Sequence, residues 1–252
     1  MQRLSSNPSG RRAALSASGI RTWAAALIII GLFGRSVLEI RFLNTGDLLA
    51  TLNQPGNMMA ASIAIVCRLL GCCAYPLAAF LVVLAFQEGE IKKLLAGSAL
   101  AAVVSEIPYD LATSGEWMNW ESQNPVFGIV LSFIVLYFFL EHWEKGFKHG
   151  FLKAMVMICG MLWAYMLRIE YGGALIIMVS GVWATRSMKS MRMLALCGGS
   201  FLGCIFSPFF TLSPMSSLCL YFYDPEKECE NPKWVYWLYP VILLAFYGVR
   251  YL

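Results

Sequence analysis

Charged residues are what this sequence has least of. Asp, Glu, Lys and Arg make up 13% of its 252 residues, while 59% are hydrophobic. Charged residues are about 25% of an ordinary soluble domain, and a soluble domain could not cover so many apolar side chains with so few charges. The net charge of +4 is modest, and the basic residues flank apolar runs, which argues against nucleic-acid binding. The composition therefore predicts an integral membrane protein whose main partner is the lipid bilayer.

Several motifs of soluble enzymes are also missing. The sequence has no GxxxxGK[ST] phosphate-binding loop, no GxSxG nucleophile turn and no CxxC pair. Its two histidines, His142 and His149, have no third ligand nearby, so we expect no metal site. The eight cysteines are expected to pack as small apolar residues. Cys219–Cys229 is the one bridge worth considering, and the sequence leaves that pairing open.

Long apolar runs separated by short polar breaks fill the chain. The first covers 22–34, and the second covers 58–86 with a kink expected at Pro76. The others cover 94–109, 125–140, 151–167, 171–185, 193–212 and 234–251. Each has about the length of a helix that crosses a bilayer, and none alternates with period two as barrel strands do. The predicted fold is therefore all-α: a polytopic integral membrane helical bundle of about eight transmembrane helices.

Basic residues predict the orientation of these helices. With the N-terminus inside, thirteen of the nineteen Lys and Arg residues fall in cytoplasmic segments and five in outer ones, as the positive-inside rule requires. This pattern places both termini in the cytoplasm and Asp224 in an outer loop. Residues 1–21 would form a basic cytoplasmic tail and 22–252 a single transmembrane domain. A signal peptide cleaved after Ser36 is the alternative to an uncleaved first helix with Arg35 snorkelling to the interface.

Charges inside the apolar runs are the first candidates for function, because burying an unpaired charge in a membrane is costly. Arg68 lies in the second run and Glu106 near the outer end of the third, with Asp110 one turn later. We expect Arg68 and Glu106 to pair, and we take Glu106, Arg68 and Asp110 as candidate catalytic residues. Pro108 removes one helical hydrogen bond and favours a polar notch there. The alternative is that Arg68 lies in water, at a break before the true second span.

Two polar segments at the outer ends of helices supply further candidates. Gln123 and Asn124 precede the fourth run, where they could contact a substrate or simply cap the helix. Glu170 and Tyr171 lie in a short charged turn between the fifth and sixth runs, a position that is more often structural than catalytic.

Five blocks of the sequence together resemble the TraX family of membrane proteins, over most of residues 20–252. They are 74–80 (AYPLAAF), 105–112 (SEIPYDLA), 123–127 (QNPVF), 170–172 (EYG) and 239–240 (YP). The family is named for a conjugative-pilus protein that acetylates the pilin N-terminus. The resemblance implies acetyl transfer in a bacterial plasma membrane from acetyl-CoA, as a co-substrate with no bound cofactor. The acceptor would be an amine or hydroxyl of a protein or lipid. The candidate binding residues that the resemblance implies are Tyr109, Gln123, Asn124, Glu170, Tyr171 and Tyr239.

The chain departs from that family where proton-transfer residues are expected. Gly31-Leu32 occupies the place of an Asp-His pair, and Ile242 stands where a histidine is expected after Tyr239-Pro240. Arg68 stands one turn before the expected arginine, where the chain has Gly71-Cys72. Glu106, Asp110 and Glu170 are then the remaining candidates for a base. A catalytically inactive relative that assembles with a partner, and a small transporter, are the alternatives.

Overall fold

The computed structural model describes residues 15–45, 47–88, 91–141, 147–224 and 235–249, and these form helices without any β-strand. In chain order the elements are α1 (Ala17–Leu32), a π-helical segment (Phe33–Phe42), α2 (Leu48–Thr51), α3 (Met58–Cys72), α4 (Ala74–Gln87), α5 (Ile91–Thr113), α6 (Val126–Glu141), α7 (Phe147–Met166), α8 (Gly172–Ala184), α9 (Lys189–Gly203), a 3₁₀ segment (Pro208–Leu212), α10 (Pro214–Cys219), a second 3₁₀ segment (Leu220–Phe222) and α11 (Val235–Val249). The all-α prediction is confirmed. Residues 1–14 of the predicted tail, His142 and Cys229 lie outside the described residues.

Three of the described helical stretches are long and apolar enough to cross a membrane. They are Ala17–Phe42, Met58–Gln87 and Lys148–Met166. The first joins α1 to the π-helical segment, so the predicted first run extends to residue 42. π-helical turns are uncommon and often occur at functional sites, and this one carries Arg35 and Glu39.

The second predicted run is interrupted between α3 and α4, as the sequence indicates. The interruption lies at Cys73, three residues before Pro76. Because Pro76 has no amide hydrogen, the carbonyl of Cys72 loses its helical donor. At the same break, the Cys73 amide donates to the Leu70 carbonyl, three residues earlier, at 3.1 Å. The kink is therefore confirmed, and it lies on the N-terminal side of the proline.

Glycines bring the first and second apolar stretches into close contact. A Cβ added to Gly71 would lie 2.6 Å from the Cα of Gly31, and one added to Gly34 would lie 2.6 Å from the Cβ of Cys67. Small residues at a crossing allow two helix backbones to approach closely. This contact places the π-helical segment, with Arg35, alongside the last turns of α3, with Arg68.

Helix α8 lies at the centre of the bundle. Ten of its thirteen residues are buried, and α4, α6, α7 and α9 pack around it. The predicted bounds of this short helix, 171–185, agree with the observed bounds, Gly172–Ala184, to within one residue at each end. Helix α7, in contrast, exposes large apolar side chains such as Leu162, Trp163 and Met166. A surface of this kind suits contact with lipid.

The seventh predicted run, 193–212, is wrong as a single helix. α9 ends at Gly203, the chain turns at 204–207, and the two 3₁₀ segments and α10 then run back beside α9 and α4. Pro208 and Pro214 begin the returning pieces, since proline is tolerated at the first position of a helix but not in its interior. The apolar composition hides this turn, because residues on both sides of it are hydrophobic.

The returning segment also overturns the predicted position of Asp224. The Leu15 amide donates to the Phe222 carbonyl at 2.8 Å, and the Asp224 amide donates to the Leu15 carbonyl at 3.0 Å. We call the end of the bundle beside Leu15 the N-terminal end and the opposite end the far end. Asp224 thus lies at the N-terminal end, whereas the charge pattern places it on the opposite side. Tyr239, in the first turns of α11, donates to Asn124 at the far end. The course of the chain between Asp224 and α11 lies outside the described residues, so the predicted cytoplasmic C-terminus stays a prediction.

We expect Gly71→Ala to destabilise the protein by about 1–3 kcal/mol, the usual range for overpacking. The new Cβ would meet backbone, the Cα of Gly31, which cannot move aside as a flexible side chain could. The measurement is thermal unfolding of the purified protein in detergent. Gly97→Ala in α5 is the matched control, because a Cβ there has no neighbour within 4 Å. Equal unfolding temperatures for the two variants would contradict the close contact.

The pairing of Leu15 with residues 222–224 also predicts membrane sidedness. In a variant without native cysteines, Asp224→Cys should react with an impermeant maleimide from the same membrane face that exposes an N-terminal tag. Trp117→Cys, in the loop after α5, should react only from the opposite face. Labelling of the two cysteines from one face would show that the returning segment is misplaced.

A buried ionic cluster as candidate functional site

Arg68 does not pair with Glu106, which corrects the sequence prediction. Its guanidinium lies 3.8 Å from Glu39 and 3.8 Å from Glu170, and it donates a hydrogen bond of 2.7 Å to the Tyr171 hydroxyl. Only 13% of the side chain is exposed. The alternative position in water is therefore also wrong, because Arg68 lies within the continuous helix α3 and is buried by its partners.

Arg35 is, with Glu39, a residue that the sequence analysis missed as a site candidate. It forms an ion pair with Glu170 and donates to the Tyr109 hydroxyl at 2.9 Å, while that hydroxyl donates to Glu170 Oε2 at 2.5 Å. The predicted snorkelling of Arg35 to the interface is therefore wrong. The available signal was the four-residue spacing of Arg35 and Glu39, which places both on one side of a helix.

Arg35, Glu39, Arg68 and Glu170 form what we call the ionic cluster. It holds two positive and two negative groups, so its formal charge is balanced. Burial alone would raise the pKa of Glu170, but Arg35 and then Arg68 outweigh this effect and lower the pKa below its usual value. Glu170 is therefore a carboxylate held by two cations. Buried charges of this kind are tolerated when each has a partner.

The turn between α7 and α8 positions Glu170 through an unusual backbone. Arg168 and Tyr171 both have left-handed conformations, with φ of 52° and 56°. The Gln123 amide donates to the Arg168 carbonyl at 2.9 Å, and the Glu170 amide donates to the Gln123 carbonyl at 3.0 Å. Non-glycine residues with positive φ are uncommon and cluster at functional sites. Gln123 therefore contributes to the site through its backbone, which fixes the turn that presents Glu170.

A second group of polar residues, which we call the amide cluster, comprises Ser105, Glu106, Asn124 and Tyr239. Asn124 is fully buried and donates to the Ser105 hydroxyl at 2.7 Å, while its carbonyl oxygen accepts from Tyr239 at 3.0 Å. The same oxygen accepts from the Val126 amide at 3.0 Å, so the capping alternative for Asn124 is also present. The backbone amide of Asn124 donates to Glu106 Oε2 at 3.3 Å, and Glu106 Oε1 is buried without a hydrogen-bond partner.

The two clusters lie next to each other but remain distinct. Tyr109 stands between them, and its hydroxyl also contacts the Ser122 hydroxyl at 3.2 Å. Asp110 is buried and accepts from the Asn119 amide at 2.9 Å, which ties the loop 114–125 to α5. Leu32 and Leu243 pack beside Tyr109 in one apolar cluster. Leu32, one of the departures from the resemblance, therefore lies beside the site, and Ile242, another, is the neighbour in sequence of Leu243.

A cavity of about 570 Å³ adjoins the ionic cluster at the far end. It is lined by Glu121, Met161, Ala164, Tyr165, Met166, Arg168, Ile169, Tyr171, Gly172, Gly173 and Phe206. Of the nine candidate site residues predicted from the sequence, Tyr171 alone is in this lining. The candidates therefore gather at one end of the bundle but do not all face this cavity.

Comparison with known protein families identifies the chain. The family model described as TraX protein matches residues 42–250. The chain belongs to the TraX family. This TraX-family chain is a membrane protein with several apolar helices. The match begins at Phe42, so it leaves out the π-helical segment with Arg35 and Glu39. No curated protein and no solved structure gives a significant match.

We expect Glu170→Gln to lower the stability of this TraX-family protein by about 3–5 kcal/mol, because it leaves two buried arginines without their shared carboxylate. Thermal unfolding in detergent measures the effect. Glu116→Gln makes the same chemical change at an exposed position and should have an effect within about 0.5 kcal/mol. An equally small effect for Glu170→Gln would mean that the cluster does not hold the helices together.

Proposed function

We propose that the protein transfers an acetyl group from acetyl-CoA to an amine or hydroxyl acceptor, with Glu106 as the general base. Membership of the TraX family supports this class of reaction. The single observation that carries the assignment is the Glu106 carboxylate. One of its oxygens accepts from the backbone amide of Asn124, and the other has no hydrogen-bond partner. A base needs such a free oxygen within reach of the acceptor proton.

The other carboxylates at the site are less suited to this role. Glu170 is engaged by Arg35, Arg68 and Tyr109, so its proton affinity is suppressed. Glu39 lies beside Arg68. Asp110 also has one oxygen, Oδ1, without a partner, but this residue is fully buried and its other oxygen holds the loop after α5. Glu106 is only partly buried as a residue, but its unpaired oxygen Oε1 is itself buried, so the acceptor has to open a path to it. The ionic cluster then acts as a scaffold that fixes the turn 168–171 and α5 around Glu106.

The proposed reaction proceeds by direct attack. The acceptor nitrogen or oxygen attacks the thioester carbonyl while its proton passes to Glu106 Oε1. The carbon–sulfur bond then breaks, and coenzyme A leaves as a thiolate that is afterwards protonated. In this proposal Asn124, which is fully buried, and Tyr239, joined to it by a hydrogen bond of 3.0 Å, position Glu106.

The distribution of basic residues supports a donor that enters from the N-terminal end. Arg186, Lys189 and Arg192 lie there, stacked on Trp183, Tyr221 and Phe80 respectively. We propose that this end faces the cytoplasm of a bacterial cell and that the bundle spans its plasma membrane. Glu106 follows Ile91 by fifteen residues of one helix, which is about 22 Å at 1.5 Å per residue. The acetyl group would therefore travel deep into the bundle.

One observation favours a second candidate, a catalytically inactive relative that binds a partner in the membrane. Leu32, at one position where the resemblance implies a histidine, packs beside Tyr109, and Ile242 stands at the other such position. Histidine is the commonest group for proton transfer near neutral pH. The balanced ionic cluster could then serve only to hold the helices together.

A transfer assay separates the two candidates. Membranes containing the protein are incubated with acetyl-labelled acetyl-CoA, and label in protein and lipid fractions is measured. Glu106→Gln keeps an acceptor for the Asn124 amide but removes the base, so we expect transfer to fall about 10²–10⁴-fold. Glu116→Gln, exposed in the neighbouring loop, should retain full transfer. The absence of both labelled product and saturable acetyl-CoA binding in the unchanged protein would favour the inactive candidate.

A further inference from the structure

The cavity beside the ionic cluster has features that neither the transfer reaction nor the helix packing uses. One wall is apolar and consists of Met161, Ala164 and Phe206, while Tyr171 separates the cavity from Arg68. Its volume of about 570 Å³ is within the range of 300–1,000 Å³ that is usual for small-molecule sites. The cavity is therefore large enough for part of a lipid molecule and apolar enough to hold an acyl chain.

Two opposite charges lie at this cavity. Arg168 and Glu121 both line it, but no ion pair within 4.0 Å joins them in the described part of the chain, whose three ion pairs all involve the ionic cluster. The Arg168 guanidinium makes one long hydrogen bond of 3.4 Å to the Trp120 carbonyl. Both side chains are exposed, and a cation and an anion are therefore available to an external group.

The surroundings of the cavity place it at the depth of lipid headgroups. Trp117, Trp120 and Tyr165 are 74%, 72% and 78% exposed, and all lie at the far end near the loop 114–125 or the end of α7. Tryptophan and tyrosine are enriched at the boundary between hydrocarbon and water, where their rings contact headgroups. A headgroup at this depth would meet Arg168 and Glu121, with its chains directed toward the exposed apolar side of α7.

We propose that this cavity binds one zwitterionic phospholipid. Its phosphate pairs with Arg168, its primary ammonium pairs with Glu121, and an acyl chain lies against Met161, Ala164 and Phe206. The arrangement of one cation and one anion matches a headgroup that carries both charges. An anionic lipid would satisfy Arg168 but would place a negative group beside Glu121. This binding does not depend on acetyl transfer, because no reaction at Glu106 is involved.

Native mass spectrometry of the purified full chain in a neutral detergent tests the proposal. Phosphatidylethanolamine and phosphatidylglycerol with identical chains are added separately, and the fraction of protein with one bound lipid is measured. We expect the zwitterionic lipid to bind several-fold more tightly. Glu121→Gln should remove this preference, and Arg168→Gln should weaken binding of both lipids about tenfold, which corresponds to one charge-assisted contact.

Matched variants distinguish a site from general attraction to lipid. Glu116→Gln and Arg41→Gln make the same charge changes at exposed positions that do not line the cavity, and both should bind lipid as the unchanged protein does. Equal binding of the two lipids by the unchanged protein would overturn the proposal. Equal losses in Arg168→Gln and Arg41→Gln would overturn it as well.

Discussion

The ion pairs that Arg35 and Arg68 make with Glu170 are the interaction on which the far end of this bundle depends. They join three pieces of chain that are distant in sequence: the π-helical segment, α3 and the turn before α8. Two buried arginines would be very unfavourable alone, and each becomes tolerable because it pairs with the Glu170 carboxylate, and Arg68 also with Glu39. Tyr109 and Tyr171 complete the arrangement by contacting the same groups from α5 and the start of α8.

The geometry of this cluster in turn depends on backbone features with no charge at all. The glycine contact between α1 and α3 brings Arg35 and Arg68 close enough together for both to pair with Glu170. The left-handed conformations of Arg168 and Tyr171 let the short turn present Glu170 inward while Arg168 remains exposed. The polar chemistry at the far end is thus a consequence of where small residues and tight turns allow helices to approach.

Much of the helical bundle could be predicted from the sequence, because apolar runs of the right length leave few alternatives in lipid. The bounds of α6 and α8 differ from the prediction by about one residue, and the kink near Pro76 is present. Tyr109, Asn124 and Tyr239 do gather near Glu106. Arg35 was missed because an arginine at the end of an apolar run has the same sequence pattern whether it snorkels or pairs. The turn at 204–207 was missed because no change in hydropathy marks it.

The pairing of Leu15 with Phe222 and Asp224 carries a consequence for biosynthesis. The first helix is made early, yet the segment that closes over its start emerges only after nearly all of the other helices. During translation, the start of α1 therefore lacks this partner until residues 222–224 have been made. A premature stop before residue 222 would leave the start of α1 permanently without this contact, so such truncated chains should be substrates for membrane quality control.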